Sequence, residues 1–177
     1  MIPIIKGNID AIEQAHTLLL KLTDEAYCHV CSPYVSSSIG QHMRHIIDNY
    51  LVIMDGQAQQ HVNYNVRRRG AKVEHCRATA LQELQAIQHW LCQLNAEQLD
   101  QRLTIVSEVC LQEEHSDYLS SSLHRELMFV ASHCIHHMAL IGVAVRLQNI
   151  PVAKYFGLAP ATATYTRQQE SALAKDA

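Results

Sequence analysis

Five histidines in two short segments, SIGQHMRHIIDNY and ASHCIHHMALIG, are the residues of this chain best suited to chemistry. They are His42, His45, His133, His136 and His137. Both segments have the pattern of amphipathic helices, and the four-residue spacing of His133 and His137 places them one turn apart on one helix face. Neutral imidazole binds divalent transition metals well, and three imidazoles leave a coordination position free for water or a substrate. The two segments therefore predict a metal site between helices.

The spacing also suggests which of the five histidines bind the metal. His133 and His137 can hold one ion from a single helix face. We predict His45 as the third ligand, because its register lies one turn deeper in its helix than that of His42. The reversed choice, with His42 as the ligand, stays open. The residues left to orient the ligands or to contact a substrate are His42, His136 and Glu126.

A structural explanation of the same histidines is a polar cluster in which they only hydrogen-bond one another. In a chain with twelve histidines, a pair four residues apart can arise by chance. The flanks of both segments are strongly apolar, however, and burying an unpaired imidazole costs about 1–3 kcal/mol. Such side chains need partners, and we favour a metal over a purely structural cluster.

Four long segments with helical periodicity position these histidines. They cover residues 8–27, 36–56, 72–94 and 123–147. Asn8 or Asp10 is predicted to cap the first, and the serine clusters at 36–38 and 120–122 to start the second and fourth. Alternation of apolar and polar residues over 102–111 predicts a short strand or hairpin. The predicted fold is an all-α four-helix bundle with a short hairpin between helices three and four.

The length of 177 residues and the apolar content of 48% fit one domain with a single core. We place this domain at residues 1–168 and expect residues 169–177 to be a frayed tail. The segment after Asn149 contains two prolines and a glycine, so we expect it to wrap the helices as irregular structure, anchored by Phe156 and Leu158.

Charge and composition restrict the partners. The net charge of −3 argues against a nucleic-acid partner, and the short basic run Arg67–Arg69 favours a solvated loop or an anchor for acidic side chains. No apolar run approaches the ~20 residues of a membrane span, and a secretory signal is absent from the start, so we expect a cytoplasmic protein without a membrane partner. A single CxxC at Cys28 and Cys31 does not predict a redox site or a second metal site.

At these residues the chain resembles the DinB-like family of bacterial four-helix-bundle proteins. The resemblance rests on Ser38-Ile39-Gly40 leading to His45 and on His133-x-x-x-His137, with support from residues 64–69 and 156–160. It implies an up-down-down-up bundle that holds a divalent metal, often nickel or zinc. The ligands it implies are His45, His133 and His137. It also implies a homodimer, because members often dimerise through bundle helices.

The same resemblance suggests a function. Characterised relatives include metal-dependent thiol transferases that use low-molecular-weight thiols, and others are described as hydrolases. We therefore expect a metal-dependent enzyme with a small-molecule substrate, in which Arg67–Arg69 contacts a carboxylate. The alternative is a non-enzymatic metal-binding or stress-response bundle protein with a closed coordination sphere.

Overall fold

Helices dominate the computed structural model, which describes residues 1–174. The α-helices among these residues are α1 (Pro3–Lys21), α2 (Asp24–Cys28), α3 (Ile39–Gly56), α4 (Arg77–Gln93), α5 (Ala96–Leu99), α6 (Leu123–Leu147) and α7 (Pro160–Leu173). A 3₁₀ turn covers Lys72–Glu74, and the strands are β1 (His61–Asn63), β2 (Arg102–Glu108) and β3 (Ser116–Ser122). Each of the four segments predicted to form a long helix overlaps with one, namely α1, α3, α4 and α6.

Serine side chains start the two helices that carry the histidines. The Ser38 hydroxyl accepts a hydrogen bond from the Gln41 backbone N–H, and the Gln41 side chain accepts one from the Ser38 backbone N–H. This capping box fixes the first turn of α3 directly ahead of its histidines. At α6 the Ser122 hydroxyl accepts a hydrogen bond from the Arg125 backbone N–H. The two predicted serine starts are confirmed.

The first helix begins earlier than predicted. It starts at Pro3, and proline suits the first helical position because its missing N–H would have no partner there. Asn8 is fully buried inside the helix, where its amide donates to the carbonyl oxygens of Ile4 and Leu127. The prediction that Asn8 or Asp10 caps this helix was therefore wrong.

Two predicted helices are interrupted by extended residues. The first ends at Lys21, and the Thr23 hydroxyl caps the separate helix α2 by accepting a hydrogen bond from the Ala26 N–H. The third is divided by Cys76, whose extended backbone separates the 3₁₀ turn from α4. Hydrophobic periodicity continues across both interruptions, so it did not reveal them.

A small sheet corrects the all-α prediction. Its order is β1-β2-β3, with β1 parallel to β2 and β2 antiparallel to β3. The predicted hairpin corresponds to β2 and β3, and β2 buries Leu103, Ile105 and Val106. Strand β1 has three residues, too few to show alternation, and is recognisable only from its pairing with β2. The fold is mostly helical with a three-stranded sheet.

The four long helices share one core. Helix α1 packs against α4 and α6, and α3 packs against the same two helices. Buried side chains from all four helices fill the space between them, among them Ile12, Ile46, Leu84 and Leu127. By length and composition alone α6 is also apolar enough to cross a membrane, a test that the core helix of a compact fold passes as well.

The segment after Asn149 contains more regular structure than expected. Phe156 is buried, which confirms it as an anchor. Pro160 then starts α7, which continues to Leu173. The predicted fraying concerns residues 169–177, of which 175–177 lie outside the described part of the chain. The predicted domain boundary at residue 168 stays a prediction.

Candidate metal centre

Three histidine rings from α3 and α6 meet at one point. Nε2 of His45 lies 2.8 Å from Nε2 of His133, which lies 3.2 Å from Nε2 of His137. One nitrogen from each ring lies within 4.8 Å of the other two. Two of the rings come from one face of α6, as their four-residue spacing predicts, and the third comes from the facing helix. The three histidines are positioned to bind a metal ion.

The chemistry of this donor set fits a divalent ion. Nitrogens bound at about 2.0–2.1 Å to one tetrahedral metal stand about 3.3 Å apart, close to the observed 2.8 and 3.2 Å. Hydrogen bonds between the rings alone leave the cluster unsatisfied. Nε2 of His133 carries either one proton or one lone pair, which is enough for one of the two nitrogens that it faces but not for both. A shared cation satisfies three lone pairs at once.

The three rings are in the neutral form that metal binding requires. Burial lowers the pKa of His45 to about 4, with the neighbouring His133 and the charge of Arg67 as further causes. Burial also lowers the pKa of His137 to about 3, and the surrounding histidines contribute. The pKa of His133 is lowered by burial, by His136 and by Arg67. At neutral pH each ring therefore offers an unprotonated nitrogen.

His42 holds one of these rings in place. Its Nδ1 lies 3.0 Å from Nδ1 of His137, and the side chain is only 9% exposed. When the Nε2 lone pair of His137 points towards an ion, Nδ1 of His137 carries a proton and donates a hydrogen bond to Nδ1 of His42. His42 then carries its own proton on Nε2, a buried atom without a hydrogen-bond partner among residues 1–174. This geometry favours His42 as an orienting group over His42 as a ligand.

His136 lies at the edge of the cluster. Its side chain is exposed, and its ring centroid lies 5.2 Å from that of His137 and 6.2 Å from that of His133. No hydrogen bond joins it to the other histidines within the described residues. From this position His136 can contact a bound molecule. Its ring does not reach the point where the three Nε2 atoms meet, so it does not fit as a further ligand of the same ion.

Glu126 is fully buried and lies apart from the histidines. Its carboxylate accepts hydrogen bonds from the side chains of Tyr64, Ser121 and Arg125. The Tyr64 ring packs edge-on against Phe129 at 5.3 Å, and Phe129 stacks on His133 at 5.8 Å. Glu126 is thus connected to His133 through two aromatic rings, those of Tyr64 and Phe129, which the sequence analysis missed. The sequence could have indicated this contact, because Phe129 lies four residues before His133 on the same helix face.

A partly buried ion-pair network holds the Arg67–Arg69 segment against α3. Nε of Arg68 donates to Asp48 at 2.6 Å, and the guanidinium group donates twice to Glu83, at 3.0 and 2.8 Å. Asp48 is 2% exposed and also accepts a hydrogen bond from Arg44. The interpretation of this basic run as an anchor for acidic side chains is confirmed for Arg68.

Comparison with known proteins identifies the family. The DinB family model matches residues 4–175, which is nearly the whole chain. The chain belongs to the DinB family. In a crystal structure, the DinB-like protein YjoA of Bacillus subtilis is similar in fold, with a TM-score of 0.58 and 18% sequence identity. That similarity covers 86% of this chain and 97% of the Bacillus protein.

A curated relative carries a similar sequence within a longer protein. FK506-binding protein 5 of Rhizopus delemar is 30% identical over 108 residues, which are 61% of this chain. The match covers 28% of the fungal protein, so this DinB-family chain spans well under half of that relative.

A cavity of about 440 Å³ adjoins the histidines of this DinB-family chain. Its lining includes His42, His45 and His137 together with Arg69 and Glu74. The cavity has the size of a small-molecule site and combines ring nitrogens with charged groups. A molecule bound there lies next to two of the three histidines that are positioned to bind a metal.

Proposed function

We propose that this DinB-family chain is a metal-dependent enzyme that acts on a small molecule, with a low-molecular-weight thiol as the favoured substrate. The observation that carries the proposal is the convergence of three Nε2 atoms beside a cavity of about 440 Å³. A site built only for stability needs no adjoining space for a ligand.

The metal we propose is nickel or zinc, held by His45, His133 and His137. Imidazole ligands suit both ions. An ion with three protein ligands supplies Lewis acidity and lowers the pKa of a thiol or a water molecule at the open position. A site that activates a thiol in this way is that of a transferase, and a site that activates water is that of a hydrolase. We favour the transferase because of the family resemblance.

The surrounding residues have separate tasks in this proposal. His42 orients the ring of His137 through their 3.0 Å contact. His136 flanks the site at its exposed edge, where it can contact a substrate. Glu126 supports the site indirectly through Tyr64 and Phe129. None of these roles requires a further metal ligand.

The competing function is a non-enzymatic metal-binding or stress-response protein. It requires a closed coordination sphere in which His42 or His136 supplies a fourth ligand. The orientation of His42 towards Nδ1 of His137 and the adjoining cavity both favour the enzyme.

Elemental analysis of protein purified without a histidine tag tests the metal site. We expect about one nickel or zinc ion per chain, and loss of that ion in His45→Ala, His133→Ala and His137→Ala. His124→Ala, an exposed residue of the same helix α6, is the matched control and keeps the metal. Equal metal content in all four variants would refute the ligand set.

A substrate screen then separates the two functions. The metal-loaded protein is incubated with low-molecular-weight thiols paired with electrophiles and, separately, with hydrolysable esters and amides. Turnover that disappears in His137→Ala supports the enzyme. A metal-loaded protein without turnover across the whole panel supports the non-enzymatic alternative.

Architecture, location and assembly are further proposals. The order in which α1, α4, α3 and α6 neighbour one another supports a four-helix bundle. Exposed apolar side chains on α6 support a homodimer, and they are Met128, Phe129, Leu140, Val143 and Leu147. Light scattering of the purified chain tests the dimer.

Fractionation of cells tests the proposed cytoplasmic location, and binding assays test the expected absence of nucleic-acid and membrane partners.

A further inference from the structure

The outer edge of the small sheet is open. Strand β3 pairs with β2 on one side and, among residues 1–174, with no strand on the other. The seven residues of β3 match those of β2 one to one, so no bulge interrupts the strand. Residues 117–120 are exposed, and Tyr118 and Leu119 expose 72% and 56% of their surface. The edge is therefore accessible to another chain.

Hydrogen bonds to the β1 side establish which way the backbone of β2 points. The Thr104 N–H donates to the carbonyl oxygen of Gln60, and the Val106 carbonyl oxygen accepts from the Tyr64 N–H. Both residues of β2 thus turn their backbone polar groups away from β3. The direction alternates along a strand, so Ile105 between them turns towards β3.

The same alternation leaves part of the β3 backbone without a partner. Leu119 lies opposite Ile105 and is therefore hydrogen-bonded to β2. Tyr118 and Ser120, on either side of it, turn their N–H and C=O groups to the open edge. Within the part of the chain that the structure describes, no hydrogen bond reaches these groups. The edge thus presents donors and acceptors that match a further strand.

The strand has few of the features that prevent such pairing. Natural proteins protect an open edge with charged side chains, a proline, a bulge or a covering segment. The sequence of β3, SDYLSSS, contains one charged residue, Asp117, and no proline. This composition is typical of an edge that is covered by a partner.

The sequence of β3 also suits pairing with itself. In an antiparallel pair with a two-fold axis at Leu119, Tyr118 of each copy lies opposite Ser120 of the other. These are the residues with outward backbone groups, so each such pair exchanges hydrogen bonds. Leu119 faces Leu119 and Asp117 faces Ser121, so apolar side chains meet and no like charges oppose one another.

We propose that β3 is an interface between two copies of this chain and joins their three-stranded sheets into one continuous sheet. Hydrogen bonds between Tyr118 of one copy and Ser120 of the other hold the two edges together. The interface uses residues other than the exposed apolar side chains of α6. It requires no metal, so it is independent of the proposed function.

A charge-exchange experiment tests this interface, because position 119 faces itself across the two-fold axis. Sedimentation equilibrium of the full chain gives the dissociation constant of the dimer. Like charges directly opposite destabilise a strand pair, so we expect Leu119→Lys and Leu119→Glu each to raise this constant at least about tenfold. An equimolar mixture of the two variants should restore the dimer. A dimer that persists in both separate variants would overturn the proposal.

A proline substitution tests the backbone hydrogen bonds. Ser120→Pro removes an N–H that points to the open edge, where proline is tolerated. We expect it to raise the dissociation constant at least about tenfold, because the two-fold axis removes two hydrogen bonds together. Ser120→Ala keeps the N–H and should leave the dimer unchanged. An equal effect of the two substitutions would contradict backbone pairing. Circular dichroism verifies the fold, and the charge variants decide if the proline variant does not fold.

Amide hydrogen exchange locates the contact in the unsubstituted chain. The amides of Tyr118 and Ser120 should exchange slowly in concentrated protein and rapidly in dilute protein, whereas that of Leu119 is protected by β2 in both. A chain that stays monomeric, with rapid exchange at Tyr118 and Ser120 at every concentration, would overturn the proposal. Removal of metal with a chelator should change none of these results, so failure of the metal site leaves this interface in place.

Discussion

Replacement of His42 by leucine is expected to weaken metal binding without weakening the fold. The leucine side chain has a similar volume but offers no acceptor to Nδ1 of His137, whereas Nδ1 of His42 lies 3.0 Å from it and accepts its hydrogen bond when Nε2 of His137 binds an ion. Loss of such a partner of a metal-binding histidine typically costs 10–100-fold in affinity. That range corresponds to about 1.4–2.8 kcal/mol of binding free energy.

The metal-free protein is expected to respond in the opposite direction. The substitution removes one hydrogen bond, worth about 1 kcal/mol, and also removes the buried Nε2 that has no partner. An unsatisfied buried polar group costs about 1–3 kcal/mol. The free energy of unfolding should therefore stay unchanged or rise by up to about 2 kcal/mol.

Two assays measure these opposite effects. Competition with a chromophoric chelator gives the zinc affinity, and urea unfolding of the metal-free protein gives the free energy of unfolding. His42→Gln retains an acceptor and should recover part of the affinity, while His124→Leu on the exposed surface should change neither quantity. Unchanged zinc affinity in His42→Leu would refute the orienting role of His42.

Three further predictions concern the frame of the site. Arg68→Ala removes one of the two arginines that pair with Asp48, while Arg44 stays in place, and should lower the free energy of unfolding by about 1–3 kcal/mol, measured with urea. Gly40→Ala should destabilise by about 1–3 kcal/mol, because its Cβ would overlap the carbonyl oxygen of Glu74. In the folded protein the pKa of His45 is lowered from 6.5 to about 4. Between these pH values the unfolded chain therefore binds more protons than the folded protein. The urea midpoint of the metal-free protein should fall as the pH decreases from 6.5 towards 4.

Each of these predictions has a contradicting outcome. A neutral effect of Arg68→Ala would mean that the network around Asp48 contributes nothing to stability. For the glycine, Gly7→Ala is the matched control, because a Cβ there meets no atom within 4 Å. Equal stability of the two alanine variants would refute the close approach. Urea midpoints that rise on acidification would show that the histidines are not buried in the neutral form.

The sequence by itself determined the helices and the pairing of two of the histidines that are positioned to bind a metal. Apolar periodicity located α1, α3, α4 and α6, and serine side chains marked where α3 and α6 begin. These features depend on residues within one or two turns of each other, so their spacing along the chain is sufficient. The four-residue interval between His133 and His137 belongs to the same class, because helical geometry alone brings the two rings together.

Only the tertiary structure decided what joins these elements. His45 and His133 are 88 residues apart, and the 2.8 Å between their nitrogens depends on how α3 packs against α6. Packing likewise determined that His42 faces His137, that β1 joins the sheet and that Arg68 pairs with Asp48. The physical reason is that local spacing fixes directions within one helix, whereas distances between helices follow from the whole core.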